Sequence, residues 1–281
     1  MGDIACVVLP TYNEVRNVEI LIPRIFAEAS KIAAHDLHVL VVDDNSPDGT
    51  QETVRDLMKI HRNLHLLPGE RRGLGEACKR GIRYAIQDLG AGLIIQMDAD
   101  LQHDPSLLPL FVMLSDYGFS LVIGSRFAPS GATTNFPWRR KLISMTGTYL
   151  VRLFGGLPAL TDCTSGYRCI KADLVRKCNL RNLSSRGYSF YSSMLCELVR
   201  NGAHVIEVPI VFGKRGYGDS KLSLRDQMEF LINLLRLRLG GLLRSRSARD
   251  ASAPWAGQTT SAASVQPPDR RCEKIQGRVS S

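Results

Sequence analysis

The amino-acid sequence predicts an α/β domain built on a largely parallel central sheet. Three observations carry that reading. Short apolar runs alternate with helix-period stretches from Ile4 to Ile123. The runs are mostly apolar, as expected of buried strands. Polar residues directly follow Leu9, Val42 and Met97, and ligands of such sheets bind beyond the carboxyl ends of the strands.

The elements follow in chain order. Ile4–Leu9 is β-branched and apolar and stops at Pro10, which predicts a buried strand. A helix-period stretch covers Val15–Ala34. Leu37–Val42 predicts a second buried strand that runs into Asp43-Asp44. Pro47-Asp48-Gly49 marks a turn and the start of a helix reaching His61. A short strand at Leu64–Leu67, a helix at Leu74–Leu89 and a strand at Leu93–Met97 come next. A helix over Ser106–Ser115 and a strand over Leu121–Ile123 continue the alternation. The middle is looser, with Pro129, Gly131, Pro137 and Gly155-Gly156. A helix over Tyr188–Asn201 then precedes a strand over His204–Phe212. Leu224–Leu243 reads as a basic, leucine-rich amphipathic helix interrupted by Arg236 and Arg238. From Arg244 onward Ser, Ala, Pro, Gln and Arg dominate, which predicts a disordered tail. The expected division is a folded domain over 1–223, a basic helix over 224–245 and a polar tail over 246–281.

Composition narrows the function. The 281 residues are 44% hydrophobic, which excludes disorder throughout. Glycines without a period and only 7 cysteines exclude collagen-like chains and disulfide scaffolds. No run of about 18 apolar residues occurs, so no membrane-spanning helix is expected. Cys6, Cys78, Cys163, Cys169, Cys178, Cys196 and Cys272 form no C-x-x-C pair and are expected to be reduced structural thiols. The start, Met1-Gly2-Asp3-Ile4, lacks a basic region followed by an apolar signal core, so secretion is not expected. The net charge of +9 points to an anionic partner: nucleic acid, a membrane surface or a phosphorylated small molecule.

The strand ends carry the chemistry. The run at Leu93 ends in Met97-Asp98-Ala99-Asp100-Leu101-Gln102. Carboxylates at i and i+2 after a buried strand can point toward one ligand. Hard divalent cations take one or two carboxylates plus substrate phosphates. Capping of the next helix does not require these acids, because Asp104-Pro105 supplies an N-cap and a first-turn proline. The first strand ends in Pro10-Thr11-Tyr12-Asn13-Glu14 and the second in Val42-Asp43-Asp44-Asn45-Ser46-Pro47-Asp48-Gly49-Thr50. Each piece is also ordinary turn chemistry. Together they gather a stacking ring, carboxylates and amides, which suit a nucleoside. Gly73-Leu74-Gly75 follows the wrong strand for a dinucleotide fingerprint and lacks its third glycine, so it is expected to open a helix. His103 is expected to be a satisfied loop histidine rather than a metal ligand. The glycine-rich basic stretch Gly213–Lys221 is a candidate lid, or else an exposed loop.

PTYNE, VVDDNSPDGT, GLGEACKRG, MDADLQH and IGSRF occur in this order and at family-like spacing. The set resembles the family 2 glycosyltransferases of GT-A fold. Within that family DADLQH, the TSGYR stretch Thr164–Arg168 and the segment Glu207–Ser223 are similar to the dolichol-phosphate mannosyltransferase catalytic subunits. The likeness covers Ile4 to Leu224. It implies a nucleotide-diphospho-sugar transferase fold whose Rossmann-like, mostly parallel sheet is flanked by helices. It implies nucleotide contacts from Pro10, Tyr12, Glu14, Val42 and Asp44, with Ala99 lining the nucleotide pocket. Mg2+ or Mn2+ would rest on Asp98, Asp100 and Gln102. Arg126 would hold an anionic group of acceptor or donor, and Arg215 and Lys221 the leaving diphosphate. Asp100, Arg126, Arg215 and Lys221 are thereby the expected catalytic residues.

The implied activity is inverting transfer of mannose from GDP-mannose to dolichyl phosphate, feeding glycan and GPI-anchor assembly. The implied place is the cytosolic face of the endoplasmic reticulum membrane. Attachment there is expected to be peripheral, through Leu224–Arg246, through small membrane-anchoring subunits, or both. The alternatives are transfer from a UDP-sugar to a polyprenyl phosphate and a non-catalytic sugar-nucleotide-binding subunit. Nucleic-acid binding has no supporting motif. The chain departs from the family pattern in one helix: relatives carry an acidic residue where Ser192-Ser193 stands here, and Glu197 lies one turn further on.

Overall fold

The structure is a computed structural model that describes residues 3–133, 138–155, 157, 159–183, 187–213 and 216. Arg215, Lys221, Cys272, the predicted helix 224–245 and the predicted tail 246–281 lie outside the described residues.

The first half alternates as the sequence predicts. β1 (Asp3–Thr11), β2 (His35–Asp43), β3 (Leu64–Pro68) and β4 (Leu93–Gln96) are linked by α1 (Val15–Ala27), α2 (Thr50–Met58) and α3 (Leu74–Gln87). A 3-10 turn at Pro105–Leu107 leads into α4 (Leu108–Asp116) and β5 (Leu121–Ser125). Then come β6 (Ala132–Thr133), α5 (Trp138–Gly155), β7 (Arg168–Lys171), α6 (Ala172–Arg176), α7 (Gly187–Arg200), β8 (Val205–Pro209) and β9 (Val211–Phe212).

The main sheet has seven strands in the order β3-β2-β1-β4-β7-β5-β8. All its pairings are parallel except those of β7, which runs antiparallel between β4 and β5. β6 and β9 form a small parallel sheet of their own. The apolar strand runs follow from burial on both faces. On one face Val18, Leu21, Ile22 and Ile25 of α1 share a core with Ala5, Val7, Leu9, Val39 and Val41. On the other, Gly81 of α3 lies against Val8 and Val42.

The structure corrects several sequence expectations. β1 continues through Pro10 to Thr11. It can, because pairing with β4 ends at Val8, so the side of the strand that lacks the proline N–H has no ladder bond to lose. α1 stops at Ala27, and a 3-10 turn at Ala29–Lys31 completes the stretch predicted as one helix to Ala34. The chain must turn there to set His35 beside Asp3. The strand predicted over His204–Phe212 divides at Ile210. That residue donates to the Ser125 carbonyl at 2.9 Å and accepts from Ala132 N at 2.9 Å, which carries the chain from one sheet to the other.

α5 and β7 fall where the sequence reads as loop. α5 contains Thr146-Gly147-Thr148, all poor helix formers, and β7 is four residues with a charge at each end. The cysteines fulfil expectation among the described residues: six are free and buried. Burial pushes the Cys6 thiol up to about 12, so it is an inert packing group. Among the described residues no helix is long and apolar enough to cross a membrane.

Candidate active site

β2 and β3 lie on one side of β1 and β4 on the other, so the chain reverses direction across the sheet at the β1–β4 crevice. Ligands bind at such a switch point, beyond the carboxyl ends of the strands. The structure brings the predicted residues of the first, second and fourth strands to this edge.

At the β1–β2 side the two adjacent acids have different jobs. Asp43 is buried and accepts from Thr11 Oγ1 (3.0 Å), Ser46 N (2.9 Å), Ser46 Oγ (2.6 Å) and Gln51 Nε2 (2.8 Å). It pins the turn. Asp44 instead accepts from Arg80 Nη2 at 2.9 Å, and its N–H donates to the Thr11 carbonyl at 3.1 Å. Burial raises the Asp44 pKa, and Arg80 only partly opposes this. The Arg71 guanidinium lies 3.9 Å from the centre of the Tyr12 ring. Glu14 donates its backbone N–H to Thr50 Oγ1 at 3.1 Å. Asp48 accepts from Val15 N at 3.1 Å, which ties the start of α1 to the start of α2. Val42 is buried and Pro10 half-buried beneath these groups.

The acidic loop after β4 is held at both ends. Leu101 has φ +67°, a left-handed conformation that costs a branched side chain energy, and Gln102 N donates to Asp100 Oδ1 at 3.1 Å across it. Asp98 N donates to His103 Nδ1 at 3.1 Å. A backbone N–H can only donate, so Nδ1 accepts and the ring proton sits on Nε2. His103 is buried, stacks on Tyr167 at 4.8 Å and has its pKa pushed down to about 4 by burial. It is the satisfied loop histidine the sequence predicts. Ala99 is buried beside it.

The start of the glycine-rich basic stretch docks on this loop. Gln102 Nε2 donates to the Gly213 carbonyl at 3.0 Å, and Gly213 N returns a bond to the Gln102 carbonyl at 3.0 Å. Gly216 N donates to the Asp100 carbonyl at 3.1 Å. A Cβ at residue 216 would stand 2.5 Å from Leu101 Cδ1 and 2.8 Å from Asn17 Oδ1, so any larger residue there would have to displace these side-chain ends.

Gln102 Oε1 is buried and has no hydrogen-bond partner among the described residues. An orphaned buried acceptor requires a ligand or water. Asp98, Asp100 and Gln102 carry hard oxygen donors, the type a divalent cation takes when its remaining ligands come from phosphate. Among the described residues no group of three or more His, Cys, Asp and Glu could hold a metal without such help.

A second polar cluster lies at the β5–β8 side. Arg126 donates from Nε and Nη2 to Asp162 at 2.7 and 2.9 Å, and from Nη2 to Thr164 Oγ1 at 2.6 Å. Glu207 accepts from Thr161 N at 2.7 Å and Asp162 N at 2.9 Å. Burial raises the Asp162 pKa, but the charge and hydrogen bonds of Arg126 outweigh it and hold the carboxyl below its ordinary value. The family resemblance implies that Arg126 holds a substrate anion. In the structure its guanidinium has an internal counter-ion.

Glu197 does not approach the acidic loop. Its Oε1 accepts from Asn179 N at 3.4 Å. Tyr191, Asp162, Thr164 and Glu207 are site-forming residues that sequence reasoning missed. TSGYR flagged Thr164–Arg168 and the segment Glu207–Ser223 flagged Glu207, whereas nothing in the sequence marked Asp162 or Tyr191.

The comparisons with known proteins agree with this geometry. Residues 6–177 match the profile of Glycosyl transferase family 2, and the chain belongs to that family. It is therefore a glycosyltransferase. The chain is 34% identical over 84% of its length to polyprenol monophosphomannose synthase of Mycolicibacterium smegmatis, covering 88% of that protein. It is 36% identical over 86% of its length to undecaprenyl-phosphate mannosyltransferase of Micrococcus luteus, covering 97% of it. Among solved structures, mannosyl-3-phosphoglycerate synthase of Rubrobacter xylanophilus superposes with a TM-score of 0.62 at 18% identity, over 90% of this chain and 78% of that one. Glucosyl-3-phosphoglycerate synthase of Mycobacterium tuberculosis, solved with Mn2+, UDP-glucose and glycerol 3-phosphate, gives a TM-score of 0.56 at 19% identity, over 89% and 82%. These structures establish the GT-A fold.

Proposed function

We propose that the protein transfers mannose from GDP-mannose to a polyprenyl phosphate with inversion at the anomeric carbon. One observation carries the reading: at the switch point, in the same loop as Asp98 and Asp100, Gln102 Oε1 is buried and unpartnered among the described residues, and Gly213 and Gly216 hydrogen-bond to this loop. The named mannosyltransferase relatives support the sugar and the acceptor class.

Pro10, Tyr12, Glu14, Val42 and Asp44 hold the nucleoside, with Ala99 beneath it. Tyr12 supplies a stacking face and Asp44 an acceptor for base or ribose hydrogen bonds. Asp98, Asp100 and Gln102 hold Mg2+ or Mn2+, an assignment favoured by the Mn2+ bound in a structural neighbour. The bound cation supplies Lewis-acid neutralisation of the departing diphosphate. Arg215 and Lys221 add charge-assisted contacts to the same group. Arg126, neutralised by Asp162, serves the acceptor side by fixing the 161–164 loop. The acceptor phosphate is ionised at neutral pH and attacks directly, so a strong general base is not required.

Dolichyl phosphate at the cytosolic face of the endoplasmic reticulum is the specific form of this reading, and polyprenol acceptors of the bacterial relatives are the general one. Contact with a bilayer is supported by α5. Leu142, Met145, Tyr149 and Leu153 recur at helical spacing along it and are exposed beside Arg152. The basic segment 224–245 and small anchoring subunits complete the proposed attachment, with 1–223 as the catalytic domain and 246–281 as a polar tail.

The test offers purified protein with MnCl2 or MgCl2, GDP-mannose or UDP-glucose, and dolichyl or undecaprenyl phosphate. Lipid-linked mannose from GDP-mannose alone is expected. Product from UDP-glucose alone would overturn the donor assignment, and no lipid-linked product would overturn the acceptor assignment.

A further inference from the structure

α7 reaches the acidic loop through a phenol. Tyr191 Oη donates to Asp98 Oδ1 at 2.9 Å, and the residue is buried. Its slot is made by the Thr164–Arg168 stretch. A Cβ at Gly166 would stand 2.8 Å from Tyr191 Cζ, so the ring occupies the space a side chain would need. Arg168, fully buried, donates from Nη1 to the Tyr191 carbonyl at 2.6 Å and from Nη2 to the Cys163 carbonyl at 3.3 Å. Ser192 Oγ donates to that same Cys163 carbonyl at 3.3 Å. The turn of α7 that carries Tyr191 is thus bolted to the start of β7.

The rest of the helix turns elsewhere. Ser193 Oγ bonds within the helix to the Ser189 carbonyl, and Glu197 faces Asn179. The group of α7 that meets the acidic loop is a hydroxyl. A carboxylate oxygen can only accept, so the phenol is the donor of this bond. Asp98 is consequently fixed twice: at its backbone by His103 and at its carboxylate by Tyr191.

We infer that Tyr191 is a positioning residue: by holding one oxygen of Asp98 it aims the carboxylate at the cation and diphosphate of the donor, and so sets donor affinity more than turnover. Groups that orient a ligating carboxylate commonly matter nearly as much as the ligand itself. A carboxylate already oriented loses less freedom on binding. The inference rests on the placement of Asp98 in the donor site given under Proposed function.

The test is calorimetric binding of GDP in the presence of MnCl2, on the full-length chain, for wild type, Tyr191→Phe, Asp98→Asn and the double variant. Tyr191→Phe keeps the ring and removes the donor. It is expected to weaken GDP binding about tenfold, the size of a lost hydrogen bond to a charged group. KM for the sugar nucleotide should rise similarly, while kcat changes less than about threefold. In the Asp98→Asn background the second substitution should add less than about twofold, because the two residues act as one unit. Ser192→Ala removes a neighbouring bond of the same turn and should bind GDP like wild type, which separates positioning from helix damage.

Wild-type binding by Tyr191→Phe, or its full loss persisting with Asp98→Asn, would overturn the inference. Failure of the underlying reading looks different: wild type would bind GDP equally in MnCl2 and in EDTA, or Asp98→Asn would bind like wild type, and the inference would fall with it. Should Tyr191→Phe lack a melting transition, the tyrosine 13Cζ resonance of wild type supplies the answer. It should shift when MgCl2 and GDP are added together, and an unmoved resonance sinks the inference.

Discussion

Two polar clusters line one edge of the sheet and differ in what their charges face. At the β1–β2 end Asp44 meets Arg80, whose side chain is 27% exposed at the crevice. At the β5–β8 end Arg126 and Asp162 close on each other with 3% and 0% exposure. The first pair is partly open to solvent. The second is buried, with the carboxylate, the guanidinium and the Thr164 hydroxyl meeting one another. A basic or acidic residue at the carboxyl edge is therefore not by itself a substrate contact, and its counter-ion decides the role.

The largest expected effect breaks the closed cluster. Asp162→Ala leaves Arg126 buried without its partner and should cost about 3–5 kcal/mol of stability, read from urea denaturation. A loss below about 1 kcal/mol would mean that the pair is not what holds the 161–168 loop. Next comes the open edge. Asp100→Ala should lower mannosyl transfer by about 10²–10³-fold, with a melting temperature near that of wild type. EDTA should lower wild-type transfer comparably and excess MnCl2 restore it. Unchanged turnover in either case contradicts the cation assignment.

A smaller effect separates the pairs further. Asp44→Asn should weaken GDP binding about tenfold, the value of a hydrogen bond to a charged group, while leaving the fold intact.

Acid titration should then distinguish the same two carboxylates by sign. The folded pKa of Asp162 lies below its ordinary 3.8, so its contribution to stability is present above that value and is lost as pH falls through the lower folded value. The folded pKa of Asp44 lies above 3.8, so the native state binds its proton more tightly. Its contribution therefore runs the other way, diminishing as pH rises from 3.8 through the folded value. Denaturation midpoints against pH for Asp162→Asn and Asp44→Asn should deviate from wild type in opposite senses, and deviations of the same sign would refute the contrast. The smallest effect is expected at Glu197→Gln. Its carboxylate faces Asn179 and not the acidic loop, so transfer should stay within about twofold of wild type.

Legibility followed the range of the interactions. β1, β2 and β4 are written as mostly apolar runs, because parallel strands covered on both faces admit few polar residues. Their polar ends are legible for the same reason, since the site begins where burial stops. Pro10–Glu14, Asp44 and Asp98–Gln102 were all readable on those grounds, with the family likeness supplying their roles. β7 was not. Its stability comes from antiparallel neighbours distant in sequence, and its first residue is a buried arginine that no hydropathy pattern announces. α5 was hidden by the Thr146-Gly147-Thr148 run at its centre.

The amino-acid sequence by itself determined the α/β alternation, the acidic strand ends and the family, because these depend on local periodicity and on motifs contiguous along the chain. Only the tertiary structure decided which charges the site keeps. It placed Asp162 on Arg126, the Tyr191 hydroxyl on Asp98, His103 under the Asp98 N–H, and Gly213 and Gly216 on the acidic loop. Each of these joins is a hydrogen bond, and three of the four span at least 36 residues. Their partners are chosen by packing, since a buried polar group must find its complement wherever the fold brings one.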